Sequence, residues 1–161
     1  MPAFMKLGNI GGEATDADHK NWIIIESMSS PIFRSIPEGA KDQQRARGDT
    51  TLGDISVVRQ LDKSSPKLAE ACANGTFFPS VEVDFCTTVG NKQEPYLKYK
   101  MTNVIVTGYS FHGTASSEPI PTEELTMNFT EVEWTYIVLN PDDGRPTGNV
   151  AGKYNPATGR A

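Results

Sequence analysis

Apolar and polar residues alternate with a period of two through most of this chain, and one short stretch departs from that rhythm. Val81, Val83 and Phe85 fall on one parity, with Glu82, Asp84 and Cys86 on the other. That is the spacing of a half-buried strand. A turn at Gly90-Asn91 leads to a further strand, where Leu97, Tyr99 and Met101 alternate with Lys98 and Lys100. Another starts near Val104 and runs towards Phe111. Earlier strands are expected over residues 3–10, over the β-branched run Trp22 to Glu26, and over about 52–61. From Glu124 to Leu139 the phase changes. Leu125, Met127 and Phe129 hold odd positions; Val132, Trp134, Tyr136 and Val138 hold even ones. A slip of one residue swaps the faces of a strand, so a β-bulge near Thr130-Glu131 is expected. Asp142-Asp143-Gly144 reads as a turn, followed by a short strand near Val150 and a fraying tail.

The departure from this rhythm is D-K-S-S-P-K-L-A-E-A-C-A-N-G, from Asp62 to Gly75. Ser64 and Ser65 offer hydroxyls to free backbone N–H groups, and Pro66 suits the first helical position. Asn74-Gly75 supplies a left-handed residue at the end. Leu68 and Cys72 are four apart with Ala69 and Ala71 beside them, so one narrow stripe is available for burial. The expectation is a mainly β protein, a two-sheet β-barrel or tight sandwich of about eight strands with one short α-helix over about 65–74.

At 161 residues the chain fits a single domain, 1–161. A chain of this size buries roughly 70% of its unfolded surface, enough for a core without metal or disulfide support. The net charge of −5 argues against general nucleic-acid binding, which needs surplus positive charge. No apolar run approaches the ~20 residues needed to span a bilayer, and Met1 to Ile10 lacks the apolar centre of a signal peptide. Cys72 and Cys86 read as two small buried thiols. One segment is unusual for a small domain, an extended loop at about 31–50. It mixes Arg34, Lys41, Arg45 and Arg47 with Glu38, Asp42 and Asp49. From composition it is either a docking arm for another subunit or a solvated insertion. A second polar loop spans about Gly113 to Thr122.

Candidate chemistry is sparse. Asp16, Asp18 and His19 cluster before the second strand, and read as a polar turn bonding nearby backbone groups, because zinc needs further spaced ligands. His112 reads as a strand-end or surface residue. Glu131 and Glu133 lie two apart and mimic paired carboxylates, yet outward charges on a half-buried strand explain them as simply. There is no nucleophile elbow and no phosphate-binding glycine loop. Besides a structural role, two readings stay open: a monomeric small-ligand-binding β-barrel, and a hydrolase using Asp18, His19 and the glutamates.

Several segments together resemble the Hcp (haemolysin-coregulated protein) family of type VI secretion systems. They are F-M-K-L at the start, G-E-A-T-D-A-D-H-K at 12–20, the helix block at 61–75 and F-P-S-V-E-V-D-F-C at 78–86. Y-L-K-Y-K-M-T-N-V-I-V-T at 96–107 and L-T-M-N-F-T-E-V-E-W-T-Y at 125–136 continue the series. M-S-S-P-I-F before the long loop departs from the tryptophan-containing pattern often seen there. The resemblance implies a barrel with one flanking helix, without catalytic site, metal or cofactor. It implies homohexameric rings stacked into a tube inside a contractile sheath and capped by a spike. It implies effector proteins as cargo in the lumen of such a tube. It further implies a bacterial cytoplasmic protein later delivered to the extracellular space or a target cell without a cleaved signal peptide. Neither nucleic-acid binding nor membrane insertion is implied. On this resemblance the loop residues Arg34, Lys41, Asp42, Arg45, Arg47 and Asp49 are candidates for ring stacking. Ser27 and Ser29 fall on a strand lining the lumen and are the cargo-facing candidates.

Overall fold

A computed structural model describes residues 1–115 and 120–159. The centre of the second polar loop, including Pro119, and the last two residues of the tail lie outside the described residues. Strand β1 (Ala3–Leu7) pairs antiparallel with β2 (Ile23–Ile25) on one side and β7 (Phe77–Val89) on the other. Strand β7 forms a hairpin with β8 (Lys92–His112), and β8 passes to β9 (Thr122–Asn128). Strand β9 pairs with β6 (Ile55–Gln60), which pairs with β3 (Ser27–Ser29). Strand β10 (Glu131–Leu139) attaches to the first half of β8 and carries β11 (Pro146–Tyr154) as an outer hairpin. A separate two-stranded ribbon joins β4 (Ile32–Arg34) to β5 (Thr50–Leu52).

The two ends of this path, β2 and β3, are one run of chain interrupted only by Glu26, whose N–H donates to the Val58 carbonyl at 2.9 Å. The sheet therefore curls back on itself, with Met5, Ile23, Val57, Val83, Met101 and Leu125 inside, though its ladder does not close. Mainly β architecture with one α-helix is as the alternation predicts. The described residues hold more than eight strands because the long loop forms a ribbon, β3 follows β2 as a separate strand, and the run after Glu124 divides into β9 and β10; the tail strand expected near Val150 is a full nine residues rather than a short one.

Two expectations change for physical reasons. The strands expected at 97–101 and 104–111 are one strand of 21 residues, bent where Asn103 takes φ +50°. The phase change near Thr130 is not a bulge within a strand. Strand β9 ends at Asn128, β10 begins at Glu131, and the two pair with different halves of β8. The Thr130 N–H donates to the Thr102 carbonyl at 3.0 Å across this junction, and Phe129 packs into the core beneath it. Changing partner, rather than inserting a residue, resets which parity faces inward.

Helix α1 (Ser65–Asn74) has the expected bounds. Gly75 closes it at φ +64°, and the Thr76 N–H reaches back to the Ala71 carbonyl at 3.0 Å. The serines do not cap it as predicted. Ser64 has helical φ and ψ, and its hydroxyl donates to the Asp62 carboxylate; Ser65 instead accepts the Asp62 N–H and turns inward. Leu68 and Ala71 form the buried stripe against the sheet, with Cys72 half-buried beside them. Leu68 is fully buried, so Leu68→Ala is expected to lower unfolding stability by about 2–5 kcal/mol, read as a shifted urea midpoint with an unchanged denaturant slope.

Candidate functional site

The segment expected as a loop is a self-supporting arm. After Pro31, β4 and β5 pair through Ile32–Leu52, Phe33–Thr51 and Arg34–Thr50. The Ser35 N–H donates to the Asp49 carbonyl at 2.9 Å, and the Asp49 N–H donates to Ser35 Oγ at 3.0 Å. A 3-10 turn over Asp42–Arg47 forms the far end. Gly48 is obligatory there, because a Cβ would lie 1.5 Å from the Ser35 carbonyl oxygen.

The six charged candidates divide. Arg34 Nη1 donates to the Ala46 and Gly48 carbonyls at 3.1 and 2.9 Å, so Arg34 braces its own arm. Lys41, Asp42, Arg45, Arg47 and Asp49 are exposed and take part in no ion pair among the described residues. Three apolar residues on the same arm were not singled out from sequence. Ile32, Phe33 and Ile36 are 51%, 63% and 56% exposed. Their signal is an I-F-R-S-I run at the entrance to a polar segment, where no core awaits it.

Ser27 and Ser29 project to solvent from β3. Their cross-strand partners on β6 are Val58 and Ser56, which in turn face Glu124 and Thr126 on β9. Ser56 Oγ donates to Glu124 at 2.6 Å. The two serines thus share one small, polar sheet face, well away from the charged end of the arm along the chain.

Two buried polar clusters hold these surfaces in place. Arg59 and Glu123 are direct cross-strand partners, are essentially inaccessible, and form an ion pair. Glu123 also accepts from Ser65 Oγ at 3.0 Å and from the Tyr109 hydroxyl at 2.5 Å, while Arg59 reaches Asp62. Parity was the available signal: Arg59 is in phase with Ile55 and Val57, and Glu123 with Leu125 and Met127. Burial and the hydrogen bond to Glu123 push the Tyr109 phenol up to about 12. Burial alone would raise Asp62, but its hydrogen bonds from Arg59 and Ser64 prevail and hold it below the usual 3.8.

The second cluster corrects the expectation for His19. Rather than bonding local backbone with its side chain, the imidazole is buried between two carboxylates. Nδ1 lies 2.6 Å from Asp16 and Nε2 lies 3.0 Å from Asp84 on β7. Its ring stacks on Phe4 and meets Trp22 edge-on. This pins the segment before β2 to the sheet. Asp18 instead faces Lys92 at 3.5 Å on the surface. Burial, helped by Asp84 and Asp16, pushes the adjacent Cys86 thiol up to about 12, so it stays protonated at neutral pH. His112 is exposed at the end of β8, and Glu131 and Glu133 lie on β10 opposite Thr102 and Lys100. Among the described residues, no group of three or more His, Cys, Asp and Glu side chains is placed to hold a metal ion.

The scaffold thus carries three outward surfaces: an exposed arm, a polar sheet face and an outer strand with an open edge. Residues 4–136 match the family described as Type VI secretion system effector, Hcp, and the chain belongs to that family. Protein hcp1 of Pseudomonas aeruginosa is 28% identical over 152 residues, spanning 94% of this chain and 93% of that one. A solved type six secretion system protein superposes with a TM-score of 0.90 at 27% identity, covering 99% of this chain and 98% of its own. Hcp1 from Salmonella typhimurium gives a TM-score of 0.77 at 25% identity, with 99% and 97% covered.

The Asp62 interaction carries a pH signature. A carboxyl whose folded pKa is depressed stabilises the fold above its unfolded value, and that contribution disappears as pH falls through the folded value. The urea midpoint is therefore expected to fall as the pH drops from about 4 through the lower folded value, and to fall less in Asp62→Asn.

Proposed function

We propose that this chain is the building block of a type VI secretion inner tube. Six copies close into a ring, rings stack into a hollow tube, and effector proteins travel in the lumen. Sheath and spike proteins are its other partners, and contraction of the sheath carries it out of the bacterial cytoplasm. The observation that supports this most is an arm that leaves Ile32, Phe33 and Ile36 exposed, on a chain belonging to the Hcp family. Two-stranded ribbons bathed on both faces by water are marginal on their own. This one acquires a reason if a second copy covers it.

Ring closure calls for two unlike patches on each subunit, a heterologous contact that closes by rotation. Among the described residues, strand β11 is paired only to β10 and offers an open edge, and that hairpin exposes Tyr136, Val138 and Val150 on one face. We assign it to the side-to-side contact. Stacking is assigned to the arm, with Lys41, Asp42, Arg45, Arg47 and Asp49 as salt-sensitive contributors and Arg34 as their brace. Single exposed pairs are worth about 0–1 kcal/mol, so each arm holds weakly and the ring gains its grip through repetition. Ser27 and Ser29 are assigned to the lumen.

Purified protein examined by light scattering and negative-stain microscopy is expected to form rings of six. A lone particle at every concentration would contradict the proposal and favour a monomeric binding barrel. Ser29→Lys is expected to leave ring mass unchanged and to reduce co-purification of effector protein; unchanged co-purification would remove the serine face from the lumen.

A further inference from the structure

The loop before β2 hangs on one buried side-chain bridge. Backbone bonds close its neck: the Gly12 N–H donates to the Asn21 carbonyl at 2.8 Å, and the Ala14 N–H to the Trp22 carbonyl at 3.0 Å. The Asn21 N–H returns a bond to the Ala14 carbonyl at 2.9 Å. Among the described residues, the loop's polar side-chain ties to the sheet are His19–Asp84 at 3.0 Å and the surface pair Asp18–Lys92 at 3.5 Å. Against this loop lies a small apolar cluster of Phe4, Ala14 and Cys86, apart from the main core, with Trp22 packed on it. Cys86 is inaccessible, and its Sγ is 4.0 Å from His19 Nε2.

A neutral imidazole carries one N–H donor and one bare acceptor nitrogen, whereas an ionised carboxylate only accepts. His19 presents both nitrogens to carboxylates, Nδ1 to Asp16 at 2.6 Å and Nε2 to Asp84 at 3.0 Å. Two such contacts need two N–H donors, one proton more than a neutral ring supplies. The charge count agrees. Lys98 Nζ on β8 lies 3.8 Å from Asp84, so a cationic ring and Lys98 together balance the two carboxylates. A neutral ring would leave an excess negative charge at a buried site, which is costly. The other charged neighbours favour the cation or are already paired. Glu82 and Tyr99 line the adjoining cleft, and Lys92 sits between Asp18 and Glu94 at 3.5 and 3.0 Å. Strand β1 contributes the stacked Phe4 ring.

We infer that His19 is held as the imidazolium and works as a proton-dependent latch on residues 12–22. While the extra proton is present, both carboxylates accept and the loop covers Cys86. Loss of that proton turns one ring nitrogen into an acceptor facing a carboxylate. The contact becomes repulsive and the loop lifts as a local unit, which costs less than global unfolding. Nε2 is spent on Asp84, so it is no base for the neighbouring thiol, and the cluster is a fastening rather than a nucleophile–base pair. In the lifted loop the imidazole titrates near its ordinary value of about 6.5. Above that pH each lifting event releases one proton, so the lifted fraction grows about tenfold per pH unit. The latch is fully engaged below that value and is lost as the pH rises.

Cys86 reports the opening in the full chain. With Cys72→Ser as background, alkylation of Cys86 by iodoacetamide is timed in native and in urea-unfolded protein at pH 7, 8 and 9. The ratio of unfolded to native rates cancels the thiolate's own pH dependence. That ratio is expected to fall roughly a hundredfold from pH 7 to pH 9. Asp62, held below 3.8, and Tyr109, at about 12, are silent across this window. Asp16→Asn places an amide that donates to a bare ring nitrogen, so the bridge no longer needs the extra proton and the ratio should not vary with pH. Nitrogen-15 shifts of the His19 ring at pH 8 give a reading that needs no variant, and both nitrogens should be protonated. A ratio independent of pH with Asp16 in place, an equal fall in Asp16→Asn, or a bare ring nitrogen at pH 8 would each overturn the latch. Every member of the bridge belongs to one chain, so these outcomes are separate from ring assembly.

Discussion

A buried guanidinium opposite a buried carboxylate sets the register on which the rest of this molecule depends. Arg59 on β6 and Glu123 on β9 face each other across the ladder at the core-facing parity. A one-residue slip would leave a charge unpaired in the interior, and removing one partner from such a pair costs about 3–5 kcal/mol. The alternatives are therefore strongly disfavoured. Because Glu123 also binds Ser65 and Tyr109, and Arg59 also binds Asp62, the same pair ties α1 and β8 to β6 and β9. This cluster stands near the Gln60 end of the ladder, opposite the Ile55 end where the arm leaves. The position from which the arm leaves the scaffold follows from a pairing that resists slippage.

A second constraint shapes the scaffold around it. Strand β8 serves two partners on the same edge, β10 along its first half and β9 along its second. The left-handed backbone at Asn103 lets one strand bend between the two. His19 performs the corresponding service at the other side, fastening the segment before β2 to β7 through Asp84. Both devices are internal. They leave the arm, the serine face and the β10–β11 hairpin as the surfaces offered to other molecules.

Much of this was legible in the sequence. Alternation located most strands, and the block from Pro66 to Gly75 carried its own start and stop signals. What alternation could not convey was partnership. The change of parity after Phe129 is the same whether a strand bulges or a new strand begins, and only the hydrogen-bond partners of β8 distinguish them. Arg59 and Glu123 sat at core-facing parity in plain view, but their pairing joins residues 64 apart in the chain. The arm was recognised by its charges. Its apolar triad escaped because I-F-R-S-I resembles a strand entering a core, and only the folded structure shows that no core is there.

The central claim is that a second copy covers the arm. Amide hydrogen exchange across a concentration series measures that most directly. The account predicts that protection rises over residues 31–52 as particles grow, while α1 stays unchanged. Arm amides that exchange at the same rate in isolated and assembled protein would contradict it.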